Sequence, residues 1–254
     1  FAEPATTMSH ASTRSAPAAG TRIDRMSSGF AAIRNIEALT LTTGSGNDVL
    51  SGGAGNDIIS GGAGNDSLQG NAGNDTFNWG FADGRDTFNG GAEADTVNLT
   101  GDSVNEIAYA NWNGASLTGL WDNALADIEN ININMAGGND WLIYNATAAV
   151  VVNLALGTGS GFTSIANVER VIGGSGNDTL TGDANDNRLD GAAGNDTLDG
   201  GGGIEDRLTG ARACTRVERF HFSHVPKLAQ MVHIGTVMSQ YGDRDHQCRF
   251  GLGG

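Results

Sequence analysis

From Thr43 to Asn78 a buried-type apolar residue recurs every nine positions, at Leu50, Ile59, Leu68 and Phe77. The four copies read TGSGNDVLS, GGAGNDIIS, GGAGNDSLQ and GNAGNDTFN. A fixed period of this kind sets the architecture before any local assignment does. The six residues that open each copy are rich in Gly, with Asn at position five and Asp at position six. Gly reaches positive φ at little steric cost and lets another backbone approach closely, and Asn tolerates the same region. Such a run predicts a tight loop with exposed carbonyls. In the three residues that close each copy, for example IIS at 58–60 or TFN at 76–78, the middle side chain is apolar. That is the pattern of a very short strand with one buried side. Each nonapeptide therefore predicts loop then strand, and two of them one turn of a flattened coil. The predicted class is all-β, a parallel β-roll or β-helix solenoid.

The phase continues beyond Asn78. After two extra residues, Trp79 and Gly80, it returns as FADGRDTFN and GGAEADTVN over 81–98, with Asp86 and Asp95 at position six. A looser copy, MAGGNDWLI, occupies 135–143, and a second block, GGSGNDTLT, GDANDNRLD and GAAGNDTLD, runs from Gly173 to Asp199. Its middle copy has Asn187 at position six, which predicts a weaker or empty site. A further copy begins at Gly200 and carries one residue too many before Arg207-Leu208. Three phrases, NIEALTL, IENININ and NVERVI, precede repeat loops and alternate apolar with polar residues, so they predict lead-in strands. Asn113-Gly114, after Ile107, Tyr109 and Trp112, predicts a hairpin turn. The four Trp residues predict core or end-packing positions. The expected organisation is a linker over 1–34, a first repeat block over 35–98, a strand-rich connecting segment over 99–172, a second block over 173–208 and an atypical tail over 209–254.

Asp recurs every nine residues, hence every eighteen on one side of the coil, which stacks Asp48 over Asp66 and Asp57 over Asp75 about one strand spacing (~5 Å) apart. Like charges at that distance repel unless a cation lies between them. Carboxylates with loop carbonyls in a flexible cage suit Ca²⁺ better than Mg²⁺. The stretch holds no Cys or His, which disfavours zinc and other soft-ligand metals. A flexible Gly/Ser linker has no reason to keep Asp and an apolar residue in strict phase.

Charge sharpens the picture. Of 29 acidic and 14 basic residues, net −15, positions 1–203 hold 24 acidic residues against seven Arg, a charge of −17. A body this acidic repels nucleic acid and anionic membranes, and its self-repulsion opposes the compact state until cations bind. Bound ions would take the stapling role of disulfides, since no Cys precedes position 214. No run of residues is apolar enough for a membrane span. Residues 1–20, rich in Ala, Ser and Thr, predict a disordered linker without a signal-peptide core, and the chain reads as a fragment or processed product. Beyond Gly203 both Cys, the single Lys and four of the five His appear. A C-terminal cap with a short helix near Pro226–Val232, a reading-frame slip, and a metal site from Cys214, His221 and His224 all stand as readings, with the slip preferred.

The GGxGxD loops and apolar eighth residues resemble the RTX, or haemolysin-type calcium-binding, repeat family. The resemblance implies a parallel β-roll of the kind found in proteins exported from Gram-negative bacteria by type I secretion. It implies Ca²⁺ held by the carboxylates of Asp48, Asp57, Asp66, Asp75, Asp86, Asp95, Asp140, Asp178 and Asp196. It also implies loop backbone around the ion from Gly44, Gly46, Gly52, Gly53, Ala54, Gly55, Gly61, Gly62, Ala63, Gly64, Gly73, Gly174 and Gly176. The ending, RFGLGG, lacks the acidic-then-hydrophobic finish of many relatives. No His-Glu-x-x-His helix or Gly-x-Ser-x-Gly elbow is present, so the expectation is a non-enzymatic, secreted calcium-binding module for stability or extracellular interaction. Its protein or glycan partner is not legible. The alternative is the calcium-binding C-terminal part of an extracellular hydrolase, a serralysin-like protease or a lipase, whose catalytic domain lies elsewhere.

Overall fold

The computed structural model describes the backbone of residues 21–26, 31–32, 39–203, 206–210, 213–215, 237–238 and 247–248, and side chains for 39–203 and 206–210. All regular structure among the described residues is β. The first part holds β1 (Thr21–Met26), β2 (Ala31–Ala32), β3 (Leu39–Thr43), β4 (Val49–Ala54), β5 (Ile58–Ser60), β6 (Ser67–Ala72), β7 (Thr76–Gly80), β8 (Thr87–Ala92) and β9 (Thr96–Thr100). The middle adds β10 (Ile107–Trp112), β11 (Leu117–Leu120), β12 (Asn123–Ala126), β13 (Asn130–Asn134), β14 (Trp141–Tyr144), β15 (Val151–Asn153), β16 (Thr158–Gly159) and β17 (Ser164–Ala166). The last part holds β18 (Arg170–Ile172), β19 (Thr179–Thr181), β20 (Arg188–Asp190), β21 (Thr197–Asp199), β22 (Arg207–Thr209), β23 (Ala213–Thr215), β24 (Val237–Met238) and β25 (Gln247–Cys248).

Successive strands alternate between two facing sheets, as a coil with one loop on each side requires. One sheet runs β1-β3-β5-β7-β9-β13-β17, and the other runs β2-β4-β6-β8-β12-β11-β10-β14-β18-β20-β22-β25. Pairing along the coil is parallel, with Leu50 beside Leu68 and Ile59 beside Phe77, eighteen residues apart. The eighth residues point inward and are fully buried, Leu50, Ile59, Phe77 and Val97 at 0 % exposure, while their strand neighbours Val49 and Ile58 face out at 43 %. The fold is a parallel β-roll.

The two residues inserted at Trp79-Gly80 lengthen β7 and shift the next pairings to twenty, so that Phe77 lies beside Val97 and Leu68 beside Phe88. An insertion of two preserves the in-out alternation of a strand. It adds a second inward position, occupied by Trp79 beside Leu99. Phe77, Trp79 and Phe88 meet edge to face at centroid distances of 5.7 and 6.2 Å.

The Asn113-Gly114 hairpin forms: β10 pairs antiparallel with β11, and Asn113 N–H donates to the Ser116 carbonyl. The chain then turns again, and β12 rather than β10 lies against β8. The sequence pattern held no signal for this second reversal. A third sheet, β16-β15-β19-β21-β23-β24, takes over opposite the last repeats. One contiguous core nevertheless runs from Leu39 to Leu208, through both repeat blocks and the connecting segment.

Two boundaries differ from expectation. Residues 21–26 and 31–32 lie within the expected linker, yet they pair in parallel with β3 and β4. A sheet edge offers unpaired N–H and C=O groups to any chain of suitable length, so the backbone extends the roll upstream of the repeats. At the other end β23 continues in parallel beside β21, and β24 and β25 close two sheets as antiparallel strands. The linker 1–20, the helix near Pro226–Val232, and the side chains of Cys214, His221 and His224 lie outside the described residues.

Candidate metal centre

Each repeat loop is fixed by contacts to the loop one turn away. In the second and third turns, Gly46 N–H donates to the Ala63 carbonyl (2.7 Å) and Ala63 N–H to the Gly44 carbonyl (2.8 Å). Asn65 N–H donates to Oδ1 of Asn47 (2.9 Å), and Asp48 N–H to Oδ1 of Asp66 (2.8 Å). The position-five Asn and position-six Asp thus form two parallel ladders along the roll. The glycines follow from crowding. A Cβ on Gly61 would collide with Oδ2 of Asp66, and one on Gly64, at φ +150, with the Gly46 carbonyl.

The Asp ladder has an end. On one side Leu39 N–H donates to Asp57, Asp57 to Asp75, Asp75 to Asp95 and Asp95 to Glu129, all at 2.7 Å. Leu39 stands where an Asp would, so the ladder begins at an apolar residue. On the other side Asp66 N–H donates to Asp86, and Asp86 N–H to Oδ1 of Asn123. In the second block Val150 N–H donates to Asp178 and Asp178 N–H to Asp196.

The position-six Asp carboxylates are buried, between 0 and 3 % exposed, whereas Glu129 at the end of its ladder is exposed. In Asp57, Asp66, Asp75, Asp95, Asp140, Asp178 and Asp196, Oδ1 accepts a backbone N–H, whereas Oδ2 has no hydrogen-bond partner. Loss of hydration raises the carboxyls of Asp57, Asp66, Asp95, Asp178 and Asp196 above their ordinary range, opposed in part by the N–H each accepts. Burial lifts Asp75 and Asp86 to about 6, with neighbouring carboxylates adding to the rise. A buried charge without a partner costs several kcal/mol unless a counter-ion compensates it. No cluster of three or more His, Cys, Asp or Glu side chains gathers among the described residues. What converges is one or two carboxylate oxygens with backbone carbonyls, a donor set for a hard cation such as Ca²⁺.

All nine predicted Asp residues occupy equivalent buried positions ahead of a strand. The predicted glycines divide by role. Gly52, Gly61 and Gly173 lie against the Oδ2 atoms of Asp57, Asp66 and Asp178. Gly62, Gly64, Gly73 and Gly174 face carbonyls of the preceding turn, which include those of Gly44, Gly46 and Gly55. Gly53 and Ala54 pair with Asn71 and Ala72 as the end of β4, and Gly55 N–H donates to the Ala72 carbonyl. Gly176 presents its carbonyl to Gly194.

Sequence reasoning missed several members. Glu129 and Glu169 take the position-six place, Glu169 accepting from Asp140 N–H at 2.9 Å. Burial raises Glu169, and the charge of Asp140 adds to the rise. Both belong to the lead-in phrases, and the signal was present: an acid two residues ahead of a buried apolar residue, as in Glu129-Asn130-Ile131. Asp206 also joins, accepting from Asn187 N–H at 2.9 Å, so the extra residue of that copy is absorbed ahead of the carboxylate and Leu208 stays buried. Asn187 spends its oxygen on Asp183 N–H.

A family model for the RTX calcium-binding nonapeptide repeat matches four copies, over residues 40–78, 82–103 and 172–204. No curated protein matches the chain. The matched residues are those that build the stacked loops and their buried Asp ladders, and these parts of the chain are RTX calcium-binding nonapeptide repeats that form a β-roll.

Proposed function

We propose that this roll is an extracellular element that folds on meeting calcium and then serves as a stable module or interaction surface. The observation that carries the reading is the repeated buried carboxylate oxygen without a hydrogen-bond donor, at Asp57, Asp75 and Asp95 on one side of the first block and at Asp66 on the other. Asp57, Asp75 and Asp95 would hold ions on one side and Asp48, Asp66 and Asp86 on the other. Asp178 and Asp196 would do so in the second block, and Asp140 in the connecting segment. When bound, the ion supplies the positive charge that buried carboxylates otherwise lack. The protein supplies oxygen ligands from side chains and loop carbonyls, and backbone N–H groups that orient each carboxylate.

Without the ion the same features oppose folding. Strands of three residues bury little, and glycine-rich loops lose much entropy on ordering. An ion that binds the native state alone adds RT ln(1 + [L]/Kd), about 2.7 kcal/mol per site at 100-fold excess over Kd. Extracellular modules bind calcium at roughly 10⁻⁴–10⁻³ M, so the roll would stay open in a low-calcium cytosol and close outside the cell. Circular dichroism across a calcium titration tests this. The expected result is a cooperative gain of β signal that chelator reverses; a full β spectrum in chelator would refute the reading.

A further inference from the structure

The matched repeats stop at residue 103 and resume at 172. Between them the structure holds one more repeat that its sequence disguises. Residues 101–109 read GDSVNEIAY, with Glu106 where the repeats have Asp and Val104 where they have Gly. Their partner one turn on is MAGGNDWLI at 135–143, thirty-four residues away rather than eighteen.

The contacts between these two loops reproduce those between true repeats. Asn139 N–H donates to Oδ1 of Asn105 at 2.8 Å, as Asn65 N–H does to Asn47. Glu106 N–H donates to Oδ1 of Asp140 at 2.8 Å, as Asp48 N–H does to Asp66. Gly137 N–H donates to the Asp102 carbonyl, and Trp141 N–H to the Glu106 carbonyl. Gly138, at φ +154, faces the Val104 carbonyl as Gly64 faces that of Gly46.

Glu106 reaches the place of the shorter Asp by folding back. Its Oε1 accepts from Asp102 N–H at 2.7 Å. A Cβ on Gly101 would meet Oε2 of Glu106 and the Met135 carbonyl, just as one on Gly70 would meet Oδ2 of Asp75 and the Gly90 carbonyl. Glu106 is 6 % exposed and Asp140 0 %, and neither Oε2 of the one nor Oδ2 of the other has a hydrogen-bond partner. Two buried, unpartnered carboxylate oxygens in stacked loops are the arrangement that a hard cation resolves.

We propose that a calcium-class divalent cation binds between the 101–106 and 135–140 loops, held by the carboxylates of Glu106 and Asp140 with loop carbonyls such as that of Val104. The site rests on the calcium reading of the true repeats and extends it to a loop outside their consensus. Its consequence is local. The chain between these loops makes the β10–β11–β12 excursion and β13 before it rejoins the coil, and the cation ties the base of that excursion.

Amide hydrogen exchange on the full chain, with and without calcium, tests the site together with Glu106→Gln, which keeps an oxygen for Asp102 N–H and removes the charge. In the wild type, calcium slows exchange in 101–106 and 135–140 as it does in 61–66, on the order of a hundredfold at a concentration about 100 times Kd. Glu106→Gln is expected to lose the slowing at 101–106 and 135–140, keep it at 61–66, and bind one calcium fewer by calorimetry. The proposal is overturned if wild-type calcium slows 61–66 but not 101–106 and 135–140, or if the variant matches the wild type in both measurements. Slowing at neither set would overturn the calcium reading of the repeats as well. Should the variant not fold, the wild-type comparison alone decides.

Discussion

Asp57 shows what a single position-six residue does. Its carboxylate accepts from Leu39 N–H and its own N–H donates to Asp75, so it joins three turns. Asp57→Ala removes a ligand oxygen, strands the Leu39 N–H and leaves Asp75 without its neighbour. A hydrogen bond to a charged group contributes about 1.5–3 kcal/mol. The variant is therefore expected to need severalfold more calcium to fold, read as the midpoint of a dichroism titration. Asp122 is the contrast. It pairs with Arg85 at 2.5 Å, but the side chains are 54 and 70 % exposed. Exposed pairs contribute about 0–1 kcal/mol, so Asp122→Ala should leave the midpoint nearly unchanged. Equal midpoints for Asp57→Ala and the wild type would contradict the ladder's role.

At the scale of the loop-strand element, the carboxylate dictates the glycine. Gly61 lies so close to Oδ2 of Asp66 that any Cβ must displace it, whereas Ala63 in the same loop points to solvent and is exposed. Gly61→Ala is expected to weaken calcium binding and lower the calcium-bound melting temperature, by an amount in the range of about 1–3 kcal/mol for overpacking a tight site. Ala63→Ser should do neither. Calorimetry and thermal melts on the pair decide. A Gly61→Ala protein with wild-type affinity would show that the carboxylate can move freely. Position four is less strict: Glu93 adopts φ 77 there, and its Oε2 accepts from Gly73 N–H at 2.7 Å, which offsets part of the strain.

For the whole molecule the ladders set a pH dependence that calcium reverses. Burial raises the folded-state carboxyls above the ordinary 3.8, Asp75 and Asp86 to about 6. Between those values the native state binds more protons than the unfolded chain, so the stability of the calcium-free roll falls as pH rises through the window. It does not recover above it, and the net charge of −15 adds repulsion in the same direction. In chelator the folded fraction, read as β signal in circular dichroism, is expected to be larger at pH 5 than at pH 7. In saturating calcium the order should invert, because protons and calcium compete for the same oxygens. Equal β signal at both pH values in chelator would show that the buried carboxylates are not the groups that resist folding.

The sequence alone determined the coil, because a nine-residue period in which Gly, Asp and one apolar residue keep fixed places admits little else. The stacking of Asp48 on Asp66 and Asp57 on Asp75 followed from that period, and the hairpin followed from the Asn113-Gly114 dipeptide. The tertiary structure decided what the period could not express. Glu129 and Glu169 enter the ladders because what matters is where a carboxylate reaches relative to a neighbouring turn's N–H. Glu106 enters through its own N–H to Asp140, while its longer side chain folds back onto Asp102 N–H. Asp206 regains phase because a loop absorbs an extra residue that a strand could not absorb without reversing its faces. The placement of β12 rather than β10 beside β8, and of residues 21–26 beside β3, depends on backbone edges brought together in space. Edge pairing uses N–H and C=O groups that every residue carries, so no side-chain pattern announces it.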